Sequence, residues 1–293
     1  MRRARREAVV GMAMLTPVLL LGLVFFVVPI GYVVVQSLTD TPLIGDGTFV
    51  GLDNYSQLLH DEIFLSALRF GALFTAMASP VIVFSGYVLG VMTRGSRRLV
   101  GVFRSLYLLP YVVGLTTLSY MAVLEFRPGY GAVNQILHTL HITDGQTAWL
   151  VDRDLALGAA TAVSAWYAVG FGMVLFMTSM QAIPDEMVEA ARVDGANWLQ
   201  RERLVVFPMV RRTLALVSIT TVAGSFLAFT QFFILTQGGP GSATSTPVIV
   251  AYKTAIQRFR LGYASAMSLV VLILIAGLSL LQFYLLKANS DER

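Results

Sequence analysis

Cysteine is absent from all 293 residues. That excludes disulfides, thiolate metal sites and a thiol nucleophile. Charge is scarce: 13% of residues are charged and 56% are hydrophobic, whereas a soluble globular domain carries about a quarter charged residues. No water-soluble core absorbs so much apolar side chain. Membrane lipid is therefore the expected solvent, and one all-α membrane domain over 1–293 the expected organisation. The net charge of +4 is small and locally organised, which implies no nucleic-acid partner. A nucleotide-gripping loop is missing as well. Gly238-Gly239-Pro240-Gly241-Ser242 is glycine-rich, but no lysine follows in the G-K-[ST] context, so it reads as a flexible external loop or gate. His138 and His141 lack further ligands at metal spacing. The apolar segments hold no paired acids, metal-ligand set or Ser-His-acid grouping, so no catalytic residue, metal or cofactor is assigned to this chain.

What the chain does have is length without charge. A helix rises about 1.5 Å per residue, so roughly 20 apolar residues cross the hydrocarbon core. Six segments qualify, over about 9–35, 65–92, 106–124, 155–180, 213–235 and 264–286, with ends uncertain by about 2–4 residues. The first follows Arg2, Arg3, Arg5 and Arg6. It exceeds the roughly 7–15 residues of a signal-peptide core and has no clear cleavage site, so it reads as an uncleaved anchor. Lys and Arg in short loops set orientation. Residues 37–64 carry acids but no Lys or Arg, whereas Arg94, Arg97, Arg98 and Arg104 mark the next loop and Arg192, Arg201, Arg203, Arg211 and Arg212 the 181–212 loop. These basic loops and both termini are expected in the cytoplasm. The last external loop, with Lys253, Arg258 and Arg260, fits the alternation least well.

The 181–212 loop is the most informative stretch. Ile183-Pro184-Asp185-Glu186 starts a helix, with proline in the first turn and acids at the positive end of the dipole. Asp194-Gly195 stops it, because glycine accepts the left-handed conformation. Asn197 caps a second short helix, which Pro208 ends or kinks. Glu189-Ala190-Ala191 is followed after three residues by Gly195, and after nine more by Val205-Val206-Phe207-Pro208.

That spacing resembles the "EAA" coupling loop of ATP-binding-cassette importer permeases, with Val205 and Phe207 replacing the usual Ile and Leu. The span order, the long first external loop, Thr236–Gly241 and Phe259–Ala266 are similar to carbohydrate permeases of the maltose and glycerol-phosphate type, over nearly the whole chain. The resemblance implies a type I importer permease fold with six transmembrane helices and a cytoplasmic coupling helix. It implies a heterodimer with a second permease subunit, two ATPase subunits carrying ATP and Mg, an extracytoplasmic solute-binding protein, and a sugar substrate. It also implies that Glu189 and Gly195 dock into the ATPase, with Ala190 and Ala191 packing beside them and Pro208 completing the element.

The driving force is expected from outside the lipid. An ion-coupled carrier keeps ionisable groups within the membrane, yet the last three spans contain no Asp, Glu, Lys, Arg or His. An ion-coupled carrier or channel, and an importer for a phosphate ester through Arg258 or Arg260, are the alternatives. Neutral polar groups are plentiful in the later spans, among them Ser164, Trp166, Ser218, Thr220 and Thr221. The candidate pathway residues are Tyr167, Ser225, Thr230, Gln231 and Phe232. Their hydroxyls and amides suit sugar hydroxyls and their rings suit a sugar's C–H face, although Ser and Thr in membrane helices often bond only to their own helix.

Overall fold

The computed structural model describes the backbone of residues 2–95 and 98–288 and the side chains of 11–95 and 99–286. Arg97, and the side chains of Arg2, Arg3, Arg5, Arg6, Arg98 and Lys287, lie outside the described residues. The helices in order are α1 (Arg2–Gly22), α2 (Val28–Ser37), α3 (Asp53–Leu58), α4 (Glu62–Thr93), α5 (Arg98–Val113), α6 (Leu115–Glu125), α7 (Ala132–Thr139) and α8 (Arg153–Gln181). They continue as α9 (Asp185–Val193), α10 (Trp198–Arg201), α11 (Phe207–Met209), α12 (Arg211–Phe226), α13 (Thr230–Leu235), α14 (Pro247–Ile256) and α15 (Leu261–Ala288). Among the described residues, extended pairing is limited to isolated bridges between Thr39 and Phe49 and between Pro42 and Arg260.

Among the described residues, five helical stretches are long and apolar enough to cross a membrane: Gly11–Ser37, Glu62–Thr93, Arg153–Gln181, Arg211–Leu235 and Leu261–Leu286. The sixth is a pair, Leu99–Val113 and Leu115–Glu125, that meets at 95°. The straight segment expected over about 106–124 is thus sharply bent. Gly114 makes the corner with φ 92° and ψ 145°, a conformation closed to residues with a Cβ.

Two π turns share one cause. Leu23–Val27 joins α1 to α2, and Glu202–Val206 joins α10 to α11. Each ends two residues before a proline, Pro29 or Pro208. Proline lacks an N–H and its ring crowds the carbonyl four residues back, here Phe25 or Leu204. Widening the turn so that Val28 bonds Leu23 and Phe207 bonds Glu202, five residues apart, relieves that crowding without ending the helix. Of the two expected outcomes at Pro208, an ended or a kinked helix, the structure shows a helix distorted by the π turn but not ended there. Helix continues to Met209, and Val210 makes the junction with α12.

The chain divides into two compact units, Met1–Asp61 with Ala251–Leu272, and Glu62–Val250 with Ile273–Arg293. In the first, the Gly11–Ser37 span buries none of its most apolar window. Its far end is held by Asn54, whose Nδ2 donates to the carbonyls of Ser37 and Thr39 at 2.9 Å each, and by the Tyr55 hydroxyl donating to Ser37 at 2.7 Å. Arg260 donates to Gln57 at 2.8 Å and lies 4.5 Å above the Tyr263 ring, while Tyr263 donates to Asp61 at 2.8 Å.

In the second unit, α4 and α8 pack along their length. Lipid gives helices no hydrophobic reason to associate, so close backbone approach must supply the attraction. Gly86 and Gly90, four apart on α4, provide it. A Cβ on Gly86 would stand 3.3 Å from the Gly172 carbonyl carbon, and one on Gly90 only 2.8 Å from the Phe176 Cβ. Phe70 and Phe74 meet Phe232 edge-to-face at 5.1 and 4.8 Å, forming the centre of a core with Leu118, Leu157 and Ile249.

Candidate functional site

Two parts of the second unit bear on function. The first is the 181–212 loop. Pro184 stands at the N-cap of α9, one residue before the helix, with Asp185 and Glu186 in the first turn and Arg192 in the last. Both signs of charge therefore oppose the helix dipole at the correct end. Beyond Val193, the Gly195 N–H bonds Arg192 at 3.1 Å and the Ala196 N–H bonds Ala191 at 2.9 Å. This pair of backward bonds closes a helix through a left-handed residue, and Gly195 has φ 81°. Asn197 then caps α10 reciprocally with Gln200: each backbone N–H donates to the other's side chain, at 2.8 and 2.9 Å. The turn is thus fixed by local chemistry.

No residue of α9 or α10 is buried. Glu189, Ala190 and Gly195 are exposed, and Ala191 and Pro208 are half-buried. Around them stand exposed apolar side chains: Met187, Val193, Trp198, Leu199 and Leu204. The helix pair thus carries apolar side chains that nothing else in the chain covers. The inner edge is anchored differently. Val206 and Val210, one helical turn apart, are buried with Phe176, Met180 and Val217. Phe207 is 41% exposed, yet its ring meets Tyr87 at 5.7 Å, and Tyr87 meets Phe176 at 5.5 Å. The residues neighbouring the expected Val205 and Phe207 positions, not those positions themselves, carry the burial. Sequence reading also missed Glu202, a buried acid between Arg201 and Arg203 that is ion-paired to Arg94.

The second part is a cavity of about 270 Å³ between α4, α5, α6, α8, α12 and α13. Its lining includes Ser164, Tyr167, Thr220, Thr221, Ser225 and Gln231, and no ionisable group other than tyrosine. One wall is a stack of rings: Tyr111 lies 5.1 Å from Tyr167 at 25° and 5.1 Å from Phe171 at 12°. Gly170 lets α5 come this close, since a Cβ there would fall 2.1 Å from the Tyr107 carbonyl oxygen. Gln231 donates to Ser164, and Ser79 to Ser225, each at 3.3 Å. Three of the five candidate pathway residues, Tyr167, Ser225 and Gln231, line this space. The other two do not. Phe232 is fully buried against Phe70 and Phe74, because the residue after Gln231 on a helix points about 100° away from it. Thr230 is half-buried beside the lining. Trp166 is 52% exposed and also lies outside the lining. Tyr111 and Phe171 are lining residues that sequence reading missed.

The glycine-rich loop is not the flexible segment its composition suggests. The Thr236 and Thr244 hydroxyls share a bond at 2.7 Å, Thr244 donates to Gly239 at 2.6 Å, and Ser245 to Gly238 at 3.2 Å. Thr246 ties the far end to Ala228 at 2.6 Å. These three consecutive hydroxyl residues are essentially inaccessible.

A family model described as "Binding-protein-dependent transport system inner membrane component" matches residues 78–290. The chain belongs to this family. It is thus a multi-pass inner-membrane permease, a transport component and not an enzyme. Similar proteins include the probable ABC transporter permease YurN of Bacillus subtilis, 34% identical over 84% of this chain and 85% of that one. The multiple sugar-binding transport permease MsmF of Streptococcus mutans is 30% identical over 92% of each chain. The sn-glycerol-3-phosphate transport permease UgpA of Agrobacterium fabrum is 29% identical, also over 92% of each. Among solved structures, a bacterial ABC transporter that imports the acidic polysaccharide alginate superposes with a TM-score of 0.84, covering 98% of both chains at 17% identity. At that identity the likeness establishes the fold: the permease has the architecture of an ABC importer.

Proposed function

We propose that this permease is one half of a heterodimeric channel for a sugar or sugar derivative, driven by ATP hydrolysis on two separate ATPase subunits. The chain itself binds no cofactor; ATP and Mg belong to the ATPases. Cargo arrives on an extracytoplasmic binding protein, and both termini and the 181–212 loop face the cytoplasm. Glu189 and Gly195 with Ala190 and Ala191 dock the loop on the ATPase, and Tyr167, Ser225 and Gln231 line the pathway. Closure of the ATPases pulls the loop, and the spans alternate between inward- and outward-facing states.

The observation that carries the sugar reading is the cavity: its lining combines hydroxyls and one amide with a stack of rings and holds no acid, lysine or arginine. Neutral donors and acceptors suit hydroxyl groups, and ring faces suit C–H surfaces. Similarity to a glycerol-phosphate permease favours a second reading, a phosphate ester. A phosphate wants an arginine or lysine. Arg260, a candidate for that role, is instead engaged with Gln57 and Tyr263.

The test is uptake by the full complex in proteoliposomes, with neutral mono- and disaccharides competing against glycerol phosphate. Competition by neutral sugars alone supports the proposal; competition by the phosphate ester alone refutes the sugar reading. In the same assay Glu189→Ala should lower uptake by roughly 5- to 150-fold, the range of typical coupling energies, with membrane insertion intact. Unchanged uptake in that variant removes Glu189 from the docking role.

A further inference from the structure

We propose that Arg94 and Glu202 form a strut that carries movement of the coupling loop into the spans, and are positioning residues for energy coupling. The proposal rests on the ATP-driven importer function above. Glu202 lies on the π turn immediately after α10, and is 6% exposed where α9 and α10 bury nothing. Its Oε1 accepts from the guanidinium of Arg94, the residue following α4, across 108 positions of sequence.

Arg94 is itself the meeting point of other elements. Gln181, the last residue of α8, donates to the Arg94 carbonyl at 3.0 Å. Arg104 on α5 donates to the carbonyls on either side, Thr93 at 2.9 Å and Gly95 at 2.7 Å. One side chain of the loop is thereby joined to the ends of α4 and α8 and, through Arg104, to the middle of α5.

Two further observations separate this pair from ordinary packing. The neighbouring anchors, Val206 and Val210, are apolar, and apolar contacts resist separation but give little direction; a charged hydrogen bond has both strength and geometry. The pair is also half satisfied, since Oε2 of Glu202 is buried with no hydrogen-bond partner among the described residues. A buried acid with an unused oxygen calls for an explanation. Here it leaves the guanidinium a second acceptor to take up as the loop shifts, so the strut stays joined through the cycle. Losing Arg94 strands the buried Glu202 carboxylate, losing Glu202 releases a part-exposed guanidinium, and either loss frees the loop to move without the spans.

The decisive experiment uses the complete complex with binding protein in proteoliposomes, measuring uptake and ATP hydrolysis together. The unmodified complex first establishes that uptake requires both ATP and binding protein, so failure of the strut is distinct from failure of the importer function. Arg94→Ala and Glu202→Ala should assemble, retain hydrolysis and raise the ATP consumed per solute by about tenfold, inside the roughly 5- to 150-fold range of coupling effects. The reversed pair, Arg94→Glu with Glu202→Arg, should bring that ratio back toward the unmodified value, which a purely structural role does not predict. Should the alanine variants fail to assemble, Glu202→Gln keeps the shape and an acceptor for Arg94 while removing the charge. An unmodified ratio in Glu202→Gln, or no recovery in the reversed pair, overturns the proposal.

Discussion

Gly90 and Gly195 both stand where a side chain fits poorly, for opposite reasons. Gly90 sits in a regular helix where a Cβ would meet the Phe176 Cβ at 2.8 Å; at Gly195 nothing lies within 4 Å, but φ is 81°. The first needs room, the second a backbone angle. The difference extends to their regions. Between α4 and α8 the chain is specified by what lies opposite, so its form depends on long-range packing. Across α9 and α10 the chain is specified by its own sequence, residue by residue, and its apolar surface is left uncovered. A permease that is pulled from outside needs both: spans that move as bodies, and a handle that keeps its shape before its partner arrives.

The largest effect should come from filling the space at the helix contact. Gly90→Leu forces α4 and α8 apart, and overpacking of this kind costs about 1–3 kcal/mol. Thermal unfolding of the detergent-solubilised complex reads it directly. If the variant is as stable as the parent, α4 and α8 are not held by close approach, and the contrast between the two regions collapses.

Gly195 should respond to backbone preference and not to size. A left-handed conformation costs an L-residue about 1–2 kcal/mol, and asparagine adopts it more readily than others. Gly195→Asn should keep most coupled uptake and Gly195→Val should lose it, with insertion unaffected in both. Equal behaviour of the two variants would show that the turn between α9 and α10 is not set by φ.

The same contrast explains what was legible in the sequence. The start and stop of α9, the left-handed Gly195 and the Asn197 cap are written within a few residues of where they act, and their chemistry is local. The ion pair is not: Glu202 reads as one acid in a basic stretch, and its partner is 108 residues away. Nor does the 95° bend show itself, because an apolar run containing Gly114 looks the same whether its two halves are collinear or not. The place of Phe232 is hidden for a related reason. Adjacency to Gln231 in the chain places it near the cavity, but helical rotation turns its ring into the core beside Phe70 and Phe74. The glycine-rich loop misleads in the other direction, since Thr244, Ser245 and Thr246 supply the order that its glycines lack.

The smallest effect on transport should come from the cavity wall, and it tests whether that wall touches cargo at all. Tyr111 is stacked between Tyr167 and Phe171, so it has neighbours whether or not a solute is present. Tyr111→Leu removes ring contacts worth about 0.5–1.5 kcal/mol each beyond area burial. If the stack serves only packing, the variant loses stability and its uptake falls with the amount of complex, leaving the KM unchanged. If the rings also meet the solute, KM rises several-fold per assembled complex. Trp166→Leu is the matched control: its ring is 52% exposed and does not line the cavity, so it should leave KM alone. An unchanged KM in Tyr111→Leu, with the control also unchanged, would confine this wall to the packing side of the comparison and move solute contact to the hydroxyl side, where Ser164, Ser225 and Gln231 stand.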